Sequence, residues 1–184
     1  QMVLQAWLAF LAFSLCASSV YLLNDLLDLE ADRQHPKKRF RPFAAGELSI
    51  VYGVVAKFVL LAVSMLIALS LPTFFFPILI FYSACTVGYS LWFKRAALVD
   101  AIMLAALYTL RLIAGAAAVS VEPTFWLLAF SMFVFMSLAL IKRYSELQLL
   151  QADGLGGLAG RGYRAVDTET LSQFGTTSGY LAVL

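Results

Sequence analysis

Apolar runs long enough to cross a bilayer recur along this chain, and they constrain its fold more than any other feature. They extend from about Met2 to Leu23, Val51 to Leu71, Phe74 to Phe93, Leu98 to Ser120 and Thr124 to Ile141. A helix needs about 20 apolar residues to span roughly 30 Å of hydrocarbon, and it satisfies its own backbone polar groups while doing so. A sixth run has begun by Tyr180 but is too short to judge as a span. The expected fold is therefore all-α, a polytopic transmembrane helical bundle with five full spans and the start of a sixth. Only 13% of the residues are charged, against about 25% in soluble domains, so a water-soluble globular domain is excluded. Because the runs recur throughout, one targeting segment does not explain them. Residues 1–184 read as one transmembrane domain, incomplete at both ends.

The breaks between runs set the topology. Lys37 to Arg41, Lys94-Arg95, Lys142-Arg143, Arg161 and Arg164 fall in alternate connections, while the turns at Pro72 and Glu122-Pro123 carry no Lys or Arg. Positive residues mark the cytoplasmic side, so three connections are expected there and two short turns opposite. This alternation accounts for the basic residues, and a net charge of +2 makes no case for a nucleic-acid partner. Ser49 is the expected N-cap of the second span, after Gly46. Cys16 and Cys85 lie inside apolar runs, where thiols behave as small hydrophobes.

The first run leads without Gly or Pro into Asn24-Asp25-Leu26-Leu27-Asp28-Leu29-Glu30-Ala31-Asp32, so its helix is expected to continue through Asp32. His35-Pro36 ends it, and Lys37, Lys38, Arg39 and Arg41 follow as a basic loop. On a helix Asn24, Asp25, Asp28 and Asp32 fall within an arc of roughly 100°. Like charges at this spacing destabilise a helix unless a cation lies between them. Mg²⁺ takes oxygen ligands and is held by one or two carboxylates plus substrate phosphates. Asp25, Asp28 and Asp32 are thus the expected metal ligands and catalytic residues. Asn24, Lys38, Arg39 and Arg41 are placed to hold the substrate's diphosphate, the cations by charge-assisted hydrogen bonds. A solvated helix end would explain one such aspartate, but not three with an asparagine.

The acidic stretch matches the N-D-x-x-D-x-x-x-D motif of the UbiA superfamily of intramembrane prenyltransferases. Lys38-Arg39-Phe40-Arg41-Pro42, followed by Ala45-Gly46, resembles the K-x-R-P segment of that family. The resemblance implies a helical bundle around a cavity open to the membrane, of which this chain would cover the second to sixth helices and the start of the seventh. It also implies a bacterial inner-membrane enzyme with its active site at the cytoplasmic face, Mg²⁺ as cofactor, and a polyprenyl lipid and a diphosphate donor as partners.

Aromatic prenyltransferases of that superfamily carry a second D-x-x-x-D motif after the sixth helix. Here that connection begins Lys142-Arg143-Tyr144-Ser145-Glu146-Leu147, and its only aspartates, Asp153 and Asp167, do not form the motif. Together with Arg111-Leu112-Ile113-Ala114-Gly115, it is similar to the branch typified by decaprenyl-phosphate phosphoribosyltransferase. The donor implied is phosphoribosyl diphosphate and the acceptor a polyprenyl phosphate, whose extra monophosphates call for cations such as Lys142, Arg143 and Arg164. A positive-inside anchor explains Lys142-Arg143 equally well. The glycines from Gly154 to Gly162 fit a flexible loop as readily as a phosphate cradle.

Arg111 lies well inside the fourth run. A charge there costs about 2.5 to 3.5 kcal/mol on insertion scales and calls for a partner from the bundle. Asp100 shares its helix face but stands 11 residues away, about 16 Å along the axis, so the two do not pair. Asp100 is instead near the cytoplasmic mouth, where it can join the polar site or serve a structural hydrogen bond. His35 reads as a loop residue, Lys57 as snorkelling, and Trp92 and Trp126 as interfacial anchors.

The function expected is a UbiA-type transferase cleaving a Mg²⁺-bound diphosphate, moving 5-phosphoribosyl to a polyprenyl phosphate. The alternative is transfer of a polyprenyl group to an aromatic acceptor such as 4-hydroxybenzoate. A transporter would need ionisable residues along a path across the membrane, whereas these charges gather on one face with Arg111 the exception.

Overall fold

The computed structural model describes residues 1–34, 38–152 and 162–184. The expectations for His35, Lys37, Asp153, Arg161 and the glycines from Gly154 to Gly160 lie outside the described residues. Among the described residues, seven α-helices run in order: α1 (Met2–Leu27), α2 (Leu29–Gln34), α3 (Ile50–Ala68), α4 (Phe75–Leu91), α5 (Val99–Ala118), α6 (Phe125–Ala152) and α7 (Thr168–Val183). Short 3-10 turns cover Lys38–Phe40, Phe93–Arg95 and Ala165–Asp167. By length and composition α1, α3, α5 and the Phe125–Leu149 part of α6 can cross a membrane, and α4 is a shorter apolar helix.

Two compact units are formed, Gln1–Ser83 with Ala117–Ser120 and Ala84–Ala116 with Val121–Leu184. In the first, α1 packs along α3 through small residues: Ala9, Ala12, Cys16 and Ser19 on one helix and Gly53, Ser64 and Ala68 on the other are buried. Small side chains let helix axes approach closely, which is how helices associate without a hydrophobic drive between them. Ser64 Oγ donates to the Ala12 carbonyl at 2.7 Å, and Cys16 Sγ lies 2.9 Å from Ser83 Oγ. Phe13 meets the rings of Phe75 and Tyr82 edge-on. Trp7, Phe10, Tyr52, Phe58 and Leu66 remain exposed, an apolar exterior that water would penalise and lipid would not. Ser49 caps α3 as expected, its Oγ accepting from the Tyr52 amide at 3.2 Å.

The helix expected to run unbroken through Asp32 is interrupted at Asp28, whose φ of −93° and ψ of 6° leave the helical region. The hydrogen bonds nevertheless carry across: Asp28 N donates to Asn24 O at 2.9 Å and Asp32 N to Asp28 O at 2.8 Å. The chain bends there without losing its helical accounting.

In the second unit α6 packs against α7, and Ala101, Ala139, Leu140, Leu147, Tyr163 and Leu171 form its core. Tyr108 stacks on Phe135 at 4.9 Å, joining α5 to α6. The sequence places the last helix at about Tyr180, but α7 begins at Thr168. Its inner face is Leu171 and Gly175, one turn apart, rather than an apolar run. A Cβ on Gly175 would lie 3.4 Å from Leu140 Cβ, and Ser137 Oγ donates to the Gly175 carbonyl at 2.7 Å. Close backbone approach replaces side-chain bulk there, so polar-looking residues hide a packed helix.

Candidate active site

The acidic end of the first unit is organised by one guanidinium. Arg41 Nη1 donates to Asp25 Oδ1 at 2.9 Å and to Asp32 Oδ2 at 2.8 Å. Asp25 sits in the last turn of α1 and Asp32 in α2, so the cation bridges the bend at Asp28. The Asp32 side chain is 5% exposed and that of Arg41 is 40% exposed, which leaves the bridge open on the arginine side. Asp28, Asp32 and Lys38 all act electrostatically on Asp25, so the expected charges do gather at one place. Asn24, Asp28 and Lys38 are each engaged in interactions of their own. Arg39 is not part of the bridge; its guanidinium lies over the Phe40 ring, 4.8 Å from the centroid.

The segment carrying Arg41 is tied into a compact turn. Arg41 N donates to Lys38 O at 2.9 Å, Ala45 N to Arg41 O at 2.8 Å, and Glu47 N to Pro42 O at 2.9 Å. Phe43 is buried and anchors the turn against Gly53 at the start of α3 and Leu26 of α1. Neither Phe43 nor Gly53 stands out in the sequence, since each is one of many similar residues in an apolar chain.

Fit to a hard cation can be judged from these donors. Three carboxylates and a carboxamide oxygen are what such an ion takes, and Asp25 and Asp32 already converge on a single positive nitrogen. Among the described residues, no three Asp, Glu, His or Cys side chains stand close enough together to hold a metal ion. Asp25 and Asp32 are oxygen donors of the kind Mg²⁺ takes from a protein beside substrate phosphates, and Arg41 stands at the point they share.

A second polar cluster lies in the other unit. Arg143 is buried, with Nε 2.5 Å from Asp100 Oδ2, Nη2 3.3 Å from Asp100 Oδ1 and Nη1 2.7 Å from Glu146 Oε2. Tyr89 Oη also donates to Asp100 Oδ1, at 2.7 Å. The guanidinium expected to meet substrate phosphate is thus held by two acids, while Lys142 beside it is exposed. Asp100 takes the structural hydrogen-bonding role that the sequence leaves open for it. Arg111 lies over the Tyr108 ring, 4.9 Å from the centroid, an aromatic partner one turn back on its own helix. Leu98 N donates to Tyr163 Oη at 3.2 Å, tying the entry of α5 to the segment before α7. Burial, with the nearby Asp100 charge, pushes the Tyr163 phenol up to about 12.

Residues 2–159 match the model of the UbiA prenyltransferase family. The chain belongs to that family. With four helices able to cross a membrane, this UbiA-family chain is an integral membrane protein. It is 42% identical over 178 residues to the nodulation protein NoeC of Azorhizobium caulinodans, covering 97% of this chain and 58% of that protein. It is 37% identical over 147 residues to decaprenyl-phosphate phosphoribosyltransferase of Mycobacterium tuberculosis, covering 80% of this chain and 49% of the relative. A UbiA homologue from Archaeoglobus fulgidus, solved with DMAPP and Mg²⁺, superposes with a TM-score of 0.79 at 19% identity, over 96% of this chain and 64% of that one. At that identity the likeness is one of fold. The UbiA-family chain spans about half the length of the curated relatives it matches.

Proposed function

We propose that these residues belong to an integral-membrane transferase that cleaves a Mg²⁺-bound diphosphate and passes 5-phosphoribosyl to a polyprenyl phosphate. The observation carrying this reading is the bridge from Arg41 to Asp25 and Asp32, which brings two acids of one motif to a shared cation. Asp25, Asp28 and Asp32, with Asn24, would hold the metal and orient the donor. Mg²⁺ bound there would offset the charge that develops on the departing diphosphate. Arg41 and Lys38 would turn to the phosphate oxygens, with Arg39 as a further contact from the flanking turn, and Lys142 of the other unit is read as a substrate-binding residue in its own right. Arg143 contributes by fixing Asp100 and Glu146. In the transfer, the bond from the ribosyl carbon to the diphosphate oxygen breaks and an acceptor phosphate oxygen forms the new one.

Two observations favour a phosphoribosyl donor over a prenyl one. The relative from Mycobacterium tuberculosis matches most of this chain, and the connection after α6 lacks a D-x-x-x-D pair. Residues 1–184 form part of one functional domain in this reading. α4 counts as the remaining span, since its 17 residues reach the lower limit of about 17 for crossing a bilayer. α7 would begin a sixth span, and the acidic end faces the cytoplasm of a bacterial inner membrane.

The test uses the whole protein, purified, with Mg²⁺ and two substrate pairs: phosphoribosyl diphosphate with polyprenyl phosphate, and polyprenyl diphosphate with 4-hydroxybenzoate. Turnover is expected with the first pair and lost in Asp28→Asn. Turnover with the second pair alone would assign prenyl transfer to an aromatic ring. Full Mg²⁺-dependent turnover by Asp28→Asn would remove the metal assignment.

A further inference from the structure

Gly53 stands in the first turn of α3, and its missing side chain is occupied by its neighbour. A Cβ built there would lie 2.8 Å from both Cε1 and Cζ of Phe43 and 3.4 Å from Leu26 Cδ2. Approaches that close do not occur for real Cβ atoms, so only glycine admits the Phe43 ring at this depth. Phe43 is 6% exposed, a ring seated between α1 and α3 within an otherwise largely exposed connection. Arg41 is two residues before it in the same hydrogen-bonded turn, with Ala45 N closing onto Arg41 O at 2.8 Å. The ring and the guanidinium therefore leave the same hydrogen-bonded turn two residues apart.

We propose that Gly53 is a positioning residue that sets the reach of Arg41 toward Asp25 and Asp32, acting through the Phe43 ring. Leu26, whose Cδ2 also borders the space where a Gly53 Cβ would stand, follows Asp25 directly in α1. One seat therefore references both the acid and the cation to the same two helices. Adding a methyl group at Gly53 lifts the ring, and the turn moves with it. Arg41 then meets the acids, and any phosphate bound between them, at the wrong distance. The proposal rests on the reading of Arg41 as a contact to the donor diphosphate.

Calorimetric titration of the whole protein in detergent with inorganic pyrophosphate and Mg²⁺ tests it, alongside donor KM and kcat. Gly53→Ala is expected to weaken pyrophosphate binding about tenfold, a partial loss of a charge-assisted contact, and to raise donor KM more than it lowers kcat. Adding Phe43→Leu to Gly53→Ala removes the colliding ring atoms and is expected to recover most of the affinity. A double variant no tighter than Gly53→Ala would overturn the route through Phe43. Should Gly53→Ala not fold, Phe43→Leu alone decides, because a loose seat also weakens binding and wild-type affinity would overturn the proposal. If Arg41→Gln loses affinity while Gly53→Ala binds as wild type, the positioning role falls and the functional reading stands. If the wild-type protein binds no pyrophosphate, the functional reading itself falls.

Discussion

Arg143 and Asp100 form a buried ion pair, with side chains 2% and 0% exposed and two guanidinium nitrogens on the two carboxylate oxygens. Removing one partner of such a pair strands the other charge, at about 3 to 5 kcal/mol, whereas removing both costs far less. Arg143→Met is expected to destabilise the protein by about 3 kcal/mol or more. Arg143→Met with Asp100→Leu is expected to regain much of that. Denaturant unfolding in detergent micelles, run on wild type, both single variants and the double, reads the coupling directly.

Arg41 predicts the opposite balance of stability and function. Its side chain is 40% exposed, and its pair with the part-exposed Asp25 contributes about 1 kcal/mol or less, whereas Asp32 is only 5% exposed and needs a donor left in place. Arg41→Gln keeps a donor for Asp32 and is expected to leave the melting temperature close to wild type. Binding of Mg²⁺-pyrophosphate is expected to fall about tenfold to a hundredfold, the worth of one or two charge-assisted hydrogen bonds. Arg39→Gln, whose guanidinium lies on Phe40 instead, serves as the matched control and is expected to lose less.

Gly162 adopts a φ of +67°, and a Cβ there would collide with the Arg95 carbonyl oxygen. The obstacle is backbone, which has no rotamer to yield. Gly162→Ala is expected to cost about 1 to 3 kcal/mol through backbone strain. Increased proteolytic cleavage near residues 95–98, which Gly162 and Tyr163 hold, is the accompanying signature.

Tyr163 gives the protein a dependence on alkaline pH. Its phenol is buried and pushed up to about 12, so the folded state holds the neutral form more tightly than the unfolded chain does. The resulting stability, up to about 3 kcal/mol, is fully present below pH about 10 and is lost as pH rises through about 12. Ultraviolet titration of tyrosinate is expected to show a late-titrating phenol in the wild type that is lost in Tyr163→Phe.

The bundle, its turns and the charge of the acidic end are legible in the sequence because each follows from a local pattern. Apolar length marks α1, α3, α5 and α6, and Ser49 announces its cap. The spacing of Asp25 and Asp32 lets both reach the Arg41 guanidinium. What escapes is decided by contacts between distant residues. The start of α7 at Thr168 is hidden because Gly175 and Ser137 pack by closeness rather than hydrophobicity. The commitment of Arg143 to Asp100 depends on register: Asp100 stands 18 residues before the end of α5 and Arg143 18 residues after the start of α6. That symmetry about the α5–α6 turn is readable in principle, but only once both helix ends are known. The Phe43 seat leaves no mark, because it depends on an atom that Gly53 does not have.

The bend at Asp28 leaves α2 with six residues, far below the about 12 to 15 at which an isolated helix becomes even marginal. Its backbone stays tied to α1 through Asp32 N and Asp28 O, and the ion pair between Asp32 and Arg41 adds a second hold on its direction. The charge that quiets the acids therefore also serves as a mechanical brace on α2. A ligand that draws Arg41 away removes the brace and must itself take over holding α2. Order in this corner of the molecule is then a shared quantity, exchanged between arginine and ligand. Amide hydrogen exchange at Leu29 to Gln34, compared with and without Mg²⁺-pyrophosphate and in Arg41→Gln, measures that exchange. Protection is expected to fall in the variant and to return when the ligand is added.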